Sequence, residues 1–165
     1  MKLEAKIIGG AELTQASDRL RTESKRLVFT DGCFDLLHVG HVRYLQAARE
    51  LGDALAVGIN GDASVRALKG EGRPLNRQGD RAAVIAALES VDYVVVFPEV
   101  RATALLELIR PAIYAKGGDY TADSLNPEER RVLEAIGAEI CIIPFESGYS
   151  TTSLIDRMHG APPNK

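Results

Sequence analysis

Tryptophan is absent from this chain of 165 residues, and cysteine and methionine occur twice each. Two cysteines, Cys33 and Cys141, are too few and too far apart for a disulfide framework or a cysteine-based zinc site. They are expected to be free thiols in a reducing compartment. No apolar run reaches the length needed to span a bilayer, and the opening "MKLEAKIIGG" lacks the apolar centre of a secretory signal. A cytoplasmic protein without a membrane partner is therefore expected. Basic residues do not exceed acidic ones, 20 against 23 for a net charge of −3, which argues against long nucleic acids as partners. A small, locally basic phosphate pocket stays compatible with that balance. Internal repeats and low-complexity tracts are missing too.

What is present is enough apolar sequence, 45% of residues, to bury one substantial core. Short runs rich in Val and Ile, at 26–30, 54–60, 93–97, 112–116 and 139–145, read as buried strands. Between them "HVRYLQAARELG", "DASVRALKG", "DRAAVIAALESV", "RATALLELIRP" and "NPEERRVLEAIG" space their apolar residues at three and four, as amphipathic helices do. Pro127 suits a helix start and Gly137 a helix end. Strands alternating with helices predict an α/β fold, a doubly wound sheet of five parallel strands. The expected organisation is an N-terminal helical extension over 1–25, the α/β domain over 26–159 and a flexible tail over 160–165. Ligands of such sheets bind beyond the carboxyl ends of the strands, where strand order reverses. The stretches "GCFDLLHVGH", "NGDAS", "KGGDY" and "ESGYSTT" all follow strands and so point at one crevice.

The chain has three histidines, and two of them, His38 and His41, stand three residues apart where a strand gives way to a helix. That spacing puts both rings on one side of the helix mouth. Gly40, between them, allows a close approach by backbone or ligand. Helix-start N–H groups favour phosphate, and two imidazoles able to gain charge near neutral pH add donors aimed at phosphoryl oxygens. A turn cap is the rival reading for either ring. Metal chelation is another, although no third His or Cys is suitably placed. His159, the remaining histidine, is expected at the surface.

"DGCFDLLHVGH" resembles the signature of the cytidylyltransferase-like family of HxGH nucleotidyltransferases, whose fold is Rossmann-like. "ALKG", "GRP", "DR", "KGGDY" and "GYSTTSLIDRM" follow in that family's order. Within it, "LKGEGRPLN", "VDYVV", "KGGDY" and "STT" resemble the heptose-1-phosphate adenylyltransferases, as a stand-alone form without the sugar-kinase domain. The resemblance implies transfer of AMP from ATP to D-glycero-D-manno-heptose 1-phosphate, yielding ADP-heptose and pyrophosphate for a heptose-containing surface glycan such as lipopolysaccharide. It implies Mg²⁺ held mainly by substrate phosphates, with no protein metal site, a homodimer, and a separate heptose kinase acting upstream.

By the same resemblance His38, His41 and Lys69 are the catalytic residues. Gly32, Cys33, Phe34, Gly40, Arg81, Lys116, Gly117, Gly118, Ser150, Thr151 and Thr152 bind the nucleotide. Asp35, Lys69, Arg73 and Asp119 bind the acceptor. Each has a plainer alternative. Asp35 can hold its loop, and Lys69 can be a solvated helix-end lysine. Arg81 can brace a loop through Asp80 or Glu71, "KGGDY", whose two glycines allow exposed N–H groups to face a ligand, can be a plain Gly-Gly turn, and Ser150 is a natural N-cap. Cys33 is expected to be a packed thiol and not a nucleophile. The family's cytidylyltransferases often carry an arginine and a threonine where this chain has "PFESG", which favours adenosine. A CTP-dependent transferase for glycerol phosphate or an alcohol phosphate is the alternative. A nucleotide-binding sensor without turnover and a tRNA-charging fragment are more distant ones.

Overall fold

The structure is a computed structural model that describes residues 2–118, 121, 124–145 and 147–160. Five parallel strands, β1 (Leu27–Gly32), β2 (Ala54–Asn60), β3 (Tyr93–Phe97), β4 (Ile113–Gly117) and β5 (Glu139–Ile143), form one sheet in the order β3-β2-β1-β4-β5. Helices α3 (Val39–Glu50), α4 (Asp62–Lys69), α5 (Gln78–Ala86), α6 (Thr103–Ile109), α7 (Pro127–Ile136) and α8 (Thr151–Met158) connect or follow the strands. All seven residues of β2 are buried, as expected for a strand covered on both faces.

The alternation of side chains along each strand divides the core in two. Phe29, Ala56, Val95 and Tyr114 meet Leu106, Ile109 and Leu133 on one face. Val28, Val57, Val94 and Ile113 meet Leu45, Ala48 and Ile85 on the other. The sequence expectation of five parallel strands holds, with boundaries shifted by one or two residues at β1, β4 and β5. β1 continues to Gly32, and β5 stops at Ile143 because Pro144 has no N–H to offer the ladder. Gly137 ends α7 in the left-handed conformation, with φ of 73°.

The N-terminal segment is fastened to this body. A one-turn helix α1 (Leu3–Lys6) leads to a parallel bridge between Ile7 and Val94 on the free side of β3, where the Ile8 N–H donates to the Val94 carbonyl at 2.9 Å. Helix α2 (Gly10–Thr22) then places Leu13 in the first core.

The feature that positions the site is the parting of β1 from β4. Their ladder has only the pairs Val28↔Ile113 and Phe29↔Tyr114, whereas β1 stays paired with β2 as far as Gly32↔Ile59. Beyond Phe29 the gap is bridged by the Tyr44 hydroxyl of α3, which donates to the Ala115 carbonyl at 3.1 Å. Its one proton being committed there, it accepts from Thr30 Oγ1 at 2.7 Å. Tyr44→Phe leaves a buried carbonyl without that donor. The expected cost is about 1–2 kcal/mol, read as a lower urea midpoint with an unchanged denaturant slope.

Candidate active site at the parting of two strands

After Gly32 the chain turns sharply. Phe34 adopts a left-handed backbone, φ 47°, which a bulky side chain rarely tolerates. Its ring folds back over Gly32 and meets His41 edge-on, with centroids 5.5 Å apart. Asp35 anchors the turn. Its carboxylate accepts from the N–H groups of Leu75 (2.8 Å) and Asn76 (2.9 Å) and from Arg73 Nε (2.8 Å), while Asn76 Nδ2 donates to its carbonyl at 2.7 Å. Burial alone would raise the Asp35 pKa, but the two N–H groups and Arg73 outweigh it and hold the carboxyl below its usual range.

Arg81 is fully buried and braces the same turn. It donates to the carbonyls of Cys33 (2.6 Å) and Asn76 (3.0 Å) and to Asp62 Oδ1 (2.8 Å). The loop-holding alternatives therefore describe Asp35 and Arg81 in this structure, and the carboxylate that meets Arg81 is Asp62, not Asp80 or Glu71. Arg73 is tied to Asp35 with its side chain partly exposed. Burial pushes the Cys33 thiol pKa up, against the nearby positive charges of Lys69, Arg81 and Arg73. The Cys33 thiolate is thus disfavoured, and both cysteines are free.

His38 is the N-cap of α3 and His41 its third residue. The rings stack with centroids 3.8 Å apart. The His38 N–H donates to His41 Nδ1 at 3.3 Å, so a neutral His41 carries its proton on Nε2. Burial lowers the pKa of His38. Burial, followed by the neighbouring His38, pushes His41 down to about 4. This corrects the expectation that the pair gains charge near neutral pH: in the free protein two stacked, desolvated rings disfavour the imidazolium. Gly40 serves a close approach, but by the protein itself. A Cβ there would lie 2.9 Å from His38 Nδ1 and 3.0 Å from Tyr149 Cβ. His38 Nδ1 is buried without a hydrogen-bond partner.

A cavity of about 150 Å³ opens where β1 and β4 separate, lined by Asp31, Gly32, Cys33, Phe34, His41, Tyr44, Lys116, Gly117 and Phe145. A larger hollow of about 480 Å³ between α3 and the end of α5 gathers no comparable set of residues. Gly117 must lack a side chain because a Cβ would meet Tyr44 and Phe145 at 2.9 Å. Gly118, with φ of 116°, gives its N–H to the Ile143 carbonyl, so it does not offer the exposed N–H expected of it.

Ser150 caps α8 by accepting from the Ser153 N–H at 2.9 Å. Thr151 Oγ1 donates to the Leu36 carbonyl at 3.4 Å, which sets the start of α8 against the turn before His38; Thr152 is exposed. Two helix N-termini thus adjoin near the imidazoles. Lys69 ends α4, exposed, and is not among the residues lining the cavity, although its charge is felt at Cys33. Asp119 lies outside the described residues. No group of three or more His, Cys, Asp or Glu side chains that could hold a metal is found among the described residues.

Sequence reasoning did not single out Asp31, Tyr44, Tyr114 or Phe145. Tyr44 was open to detection, since it follows His41 by three residues and so shares its helix face.

An unfolded imidazole titrates near ~6.5, whereas folded His41 is held at about 4. Between those values the unfolded chain binds a proton that the folded site refuses. The stability contribution is therefore complete above the unfolded value and is lost as pH falls toward the folded one. Urea unfolding at pH 7 and pH 4.5 should show wild type losing more stability than a His41→Asn variant. Asp35→Ala should cost about 1–3 kcal/mol, measured the same way, because it strands the N–H groups of Leu75 and Asn76.

The profile of the cytidylyltransferase-like family matches residues 29–157. The chain is similar to the "Bifunctional protein HldE" of Geobacter sulfurreducens, 52% identical over 138 residues, covering 84% of this chain and 28% of that protein. It is similar also to that of Nitratiruptor sp., 49% identical over 147 residues, covering 89% and 30%. It thus spans less than a third of the length of these relatives. Among solved structures, the lipopolysaccharide core biosynthesis protein from Thermoplasma volcanium superposes with a TM-score of 0.60 at 26% identity, covering 76% of this chain and 99% of that one. With most of its length matched by the family profile, this chain belongs to the cytidylyltransferase-like family.

Proposed function

We propose that the protein is a nucleotidyltransferase that moves AMP from ATP to D-glycero-D-manno-heptose 1-phosphate. The observation that carries this reading is the His41 ring at the cavity wall, its Nδ1 occupied by the His38 N–H and its Nε2 left as a fixed donor. Such a donor beside two helix N-termini suits charge developing on a phosphoryl group. The resemblance to the bifunctional relatives supports the choice of acceptor.

In the proposed reaction an oxygen of the sugar phosphate attacks the α-phosphorus of ATP in line. The new P–O bond forms as the bond to the bridging oxygen breaks, and pyrophosphate leaves with its electron pair. The attacking phosphate is already ionised near neutrality, so no general base is required. The half-buried thiol of Cys33, its pKa raised by burial, is given no covalent part. His41 holds a proton at Nε2 toward the phosphoryl oxygens, and Lys116 brings an ammonium to the same cavity. Lys69 and Arg73 are assigned to the acceptor phosphate, with Lys69 on the exposed end of α4. Ser150, Thr151 and Thr152 are assigned to the nucleotide.

Mg²⁺ fits as a companion of the triphosphate, neutralising charge on the departing pyrophosphate, because Asp31 is the single carboxylate lining the cavity among the described residues. A homodimer, a cytoplasmic location and an upstream heptose kinase complete the proposal. No helix among the described residues is long and apolar enough to cross a membrane.

A matrix assay tests it. The protein is incubated with Mg²⁺, each of four nucleoside triphosphates and a panel of phosphorylated sugars and alcohols, and pyrophosphate is measured. ATP with the heptose phosphate is expected to give the signal, and His41→Ala to reduce it by at least ~10²-fold. A signal with CTP and an alcohol phosphate would replace the substrate assignment. Nucleotide binding with no pyrophosphate in any combination would replace the enzyme with a sensor.

A further inference from the structure

The parting of β1 and β4 is bridged on its other side by a second tyrosine. Tyr114 is fully buried and its ring stacks with Phe29, centroids 6.4 Å apart, yet its hydroxyl reaches the gap. There it donates to Asp31 Oδ1 at 2.7 Å and accepts from Lys116 Nζ at 3.5 Å. The direction is fixed by chemistry, since an ammonium only donates and a carboxylate only accepts. Burial, reinforced by the charge of Asp31, raises the Tyr114 pKa well above its ordinary value, so the phenol keeps its proton. Asp31 and Lys116 both line the cavity, one from each strand, and the hydroxyl stands between them. Glu129, buried in the first turn of α7, feels both charges.

We propose that Tyr114 and Asp31 are positioning residues that hold the Lys116 ammonium at the cavity wall, where it meets the phosphates of the bound nucleotide. The proposal rests on the nucleotidyltransferase reading. A lysine has four side-chain torsions, and its ammonium acts on a reacting phosphate only as well as it is placed. The phenol supplies a fixed acceptor on the rigid part of β4. It also separates the cation from a carboxylate that would otherwise draw it away from an incoming anion. Asp31 in turn orients the phenol by taking its proton.

Steady-state kinetics on a set of variants tests this. Tyr114→Phe keeps the buried ring, and its folding is checked by thermal melting. It should raise KM for the nucleotide ~3–10-fold, with kcat and the acceptor KM nearly unchanged, as loss of one charge-assisted hydrogen bond does. In a Lys116→Met background the same change should have no further effect, because Tyr114 acts through the lysine. In a Tyr114→Phe background, Asp31→Asn should restore at least half of the lost affinity by removing the competing charge. An equal penalty with and without Lys116, no penalty at all, or no rescue would each overturn the assignment. Wild type that releases no pyrophosphate would defeat the functional reading instead. In that event nucleotide binding by calorimetry, on the same variants, still decides the role of Tyr114.

Discussion

The site exists because two neighbouring parallel strands stop pairing. β1 keeps its ladder with β2 to its last residue, and β4 keeps its ladder with β5, but between β1 and β4 the hydrogen bonds end after Phe29 and Tyr114. This is the place where strand order reverses, and a crevice there follows from topology. Backbone groups freed by such a parting need new partners. The Tyr44 hydroxyl meets that need at the Ala115 carbonyl, while on the other face of the sheet the Tyr114 hydroxyl bonds the Asp31 side chain at the gap. One closes the floor with neutral groups, and the other joins a carboxylate to an ammonium. The chemistry of the crevice is thus asymmetric before any ligand enters.

Above this floor the loop from Cys33 to His38 is built like a splint. Asp35 and Arg81 are both buried, and both spend their charges on neighbouring backbone and side chains. A left-handed Phe34 costs on the order of 1–3 kcal/mol, which that network must offset. The result is a wall whose shape is set in advance, with His41 locked by the N–H of His38. Preorganised donors of this kind act without rearrangement at the moment of reaction. Their neutrality matters as well, because a neutral ring presents one defined N–H and excludes the ambiguity of an imidazolium.

Much of this was legible in the chain. Buried strands announced themselves as short runs of Val and Ile, and Asn126-Pro127 marks a helix start whose cap is realised by Asn126 Oδ1 accepting from Glu128 at 3.0 Å. The imidazole pair was legible because i, i+3 spacing is a local property. Its protonation was not, since that depends on burial, to which the Phe34 ring packed edge-on against His41 contributes and which no spacing reveals. Likewise Arg81 reads as a phosphate ligand until Asp62, nineteen positions away, is seen to face it. Asp31, Tyr114 and Lys116 lie on two strands, with 83 positions between Asp31 and Tyr114. Only the strand order brings them together.

The bridge between Ile7 and Val94 has a wider consequence. β3 is the last strand on its side of the sheet, and an uncovered edge invites strand addition by another chain. The N-terminal segment occupies part of that edge and binds the Val94 carbonyl. Self-association by continuing the sheet past β3 is therefore obstructed by the protein's own first residues. A second copy that adds to the sheet is left the opposite edge, at β5.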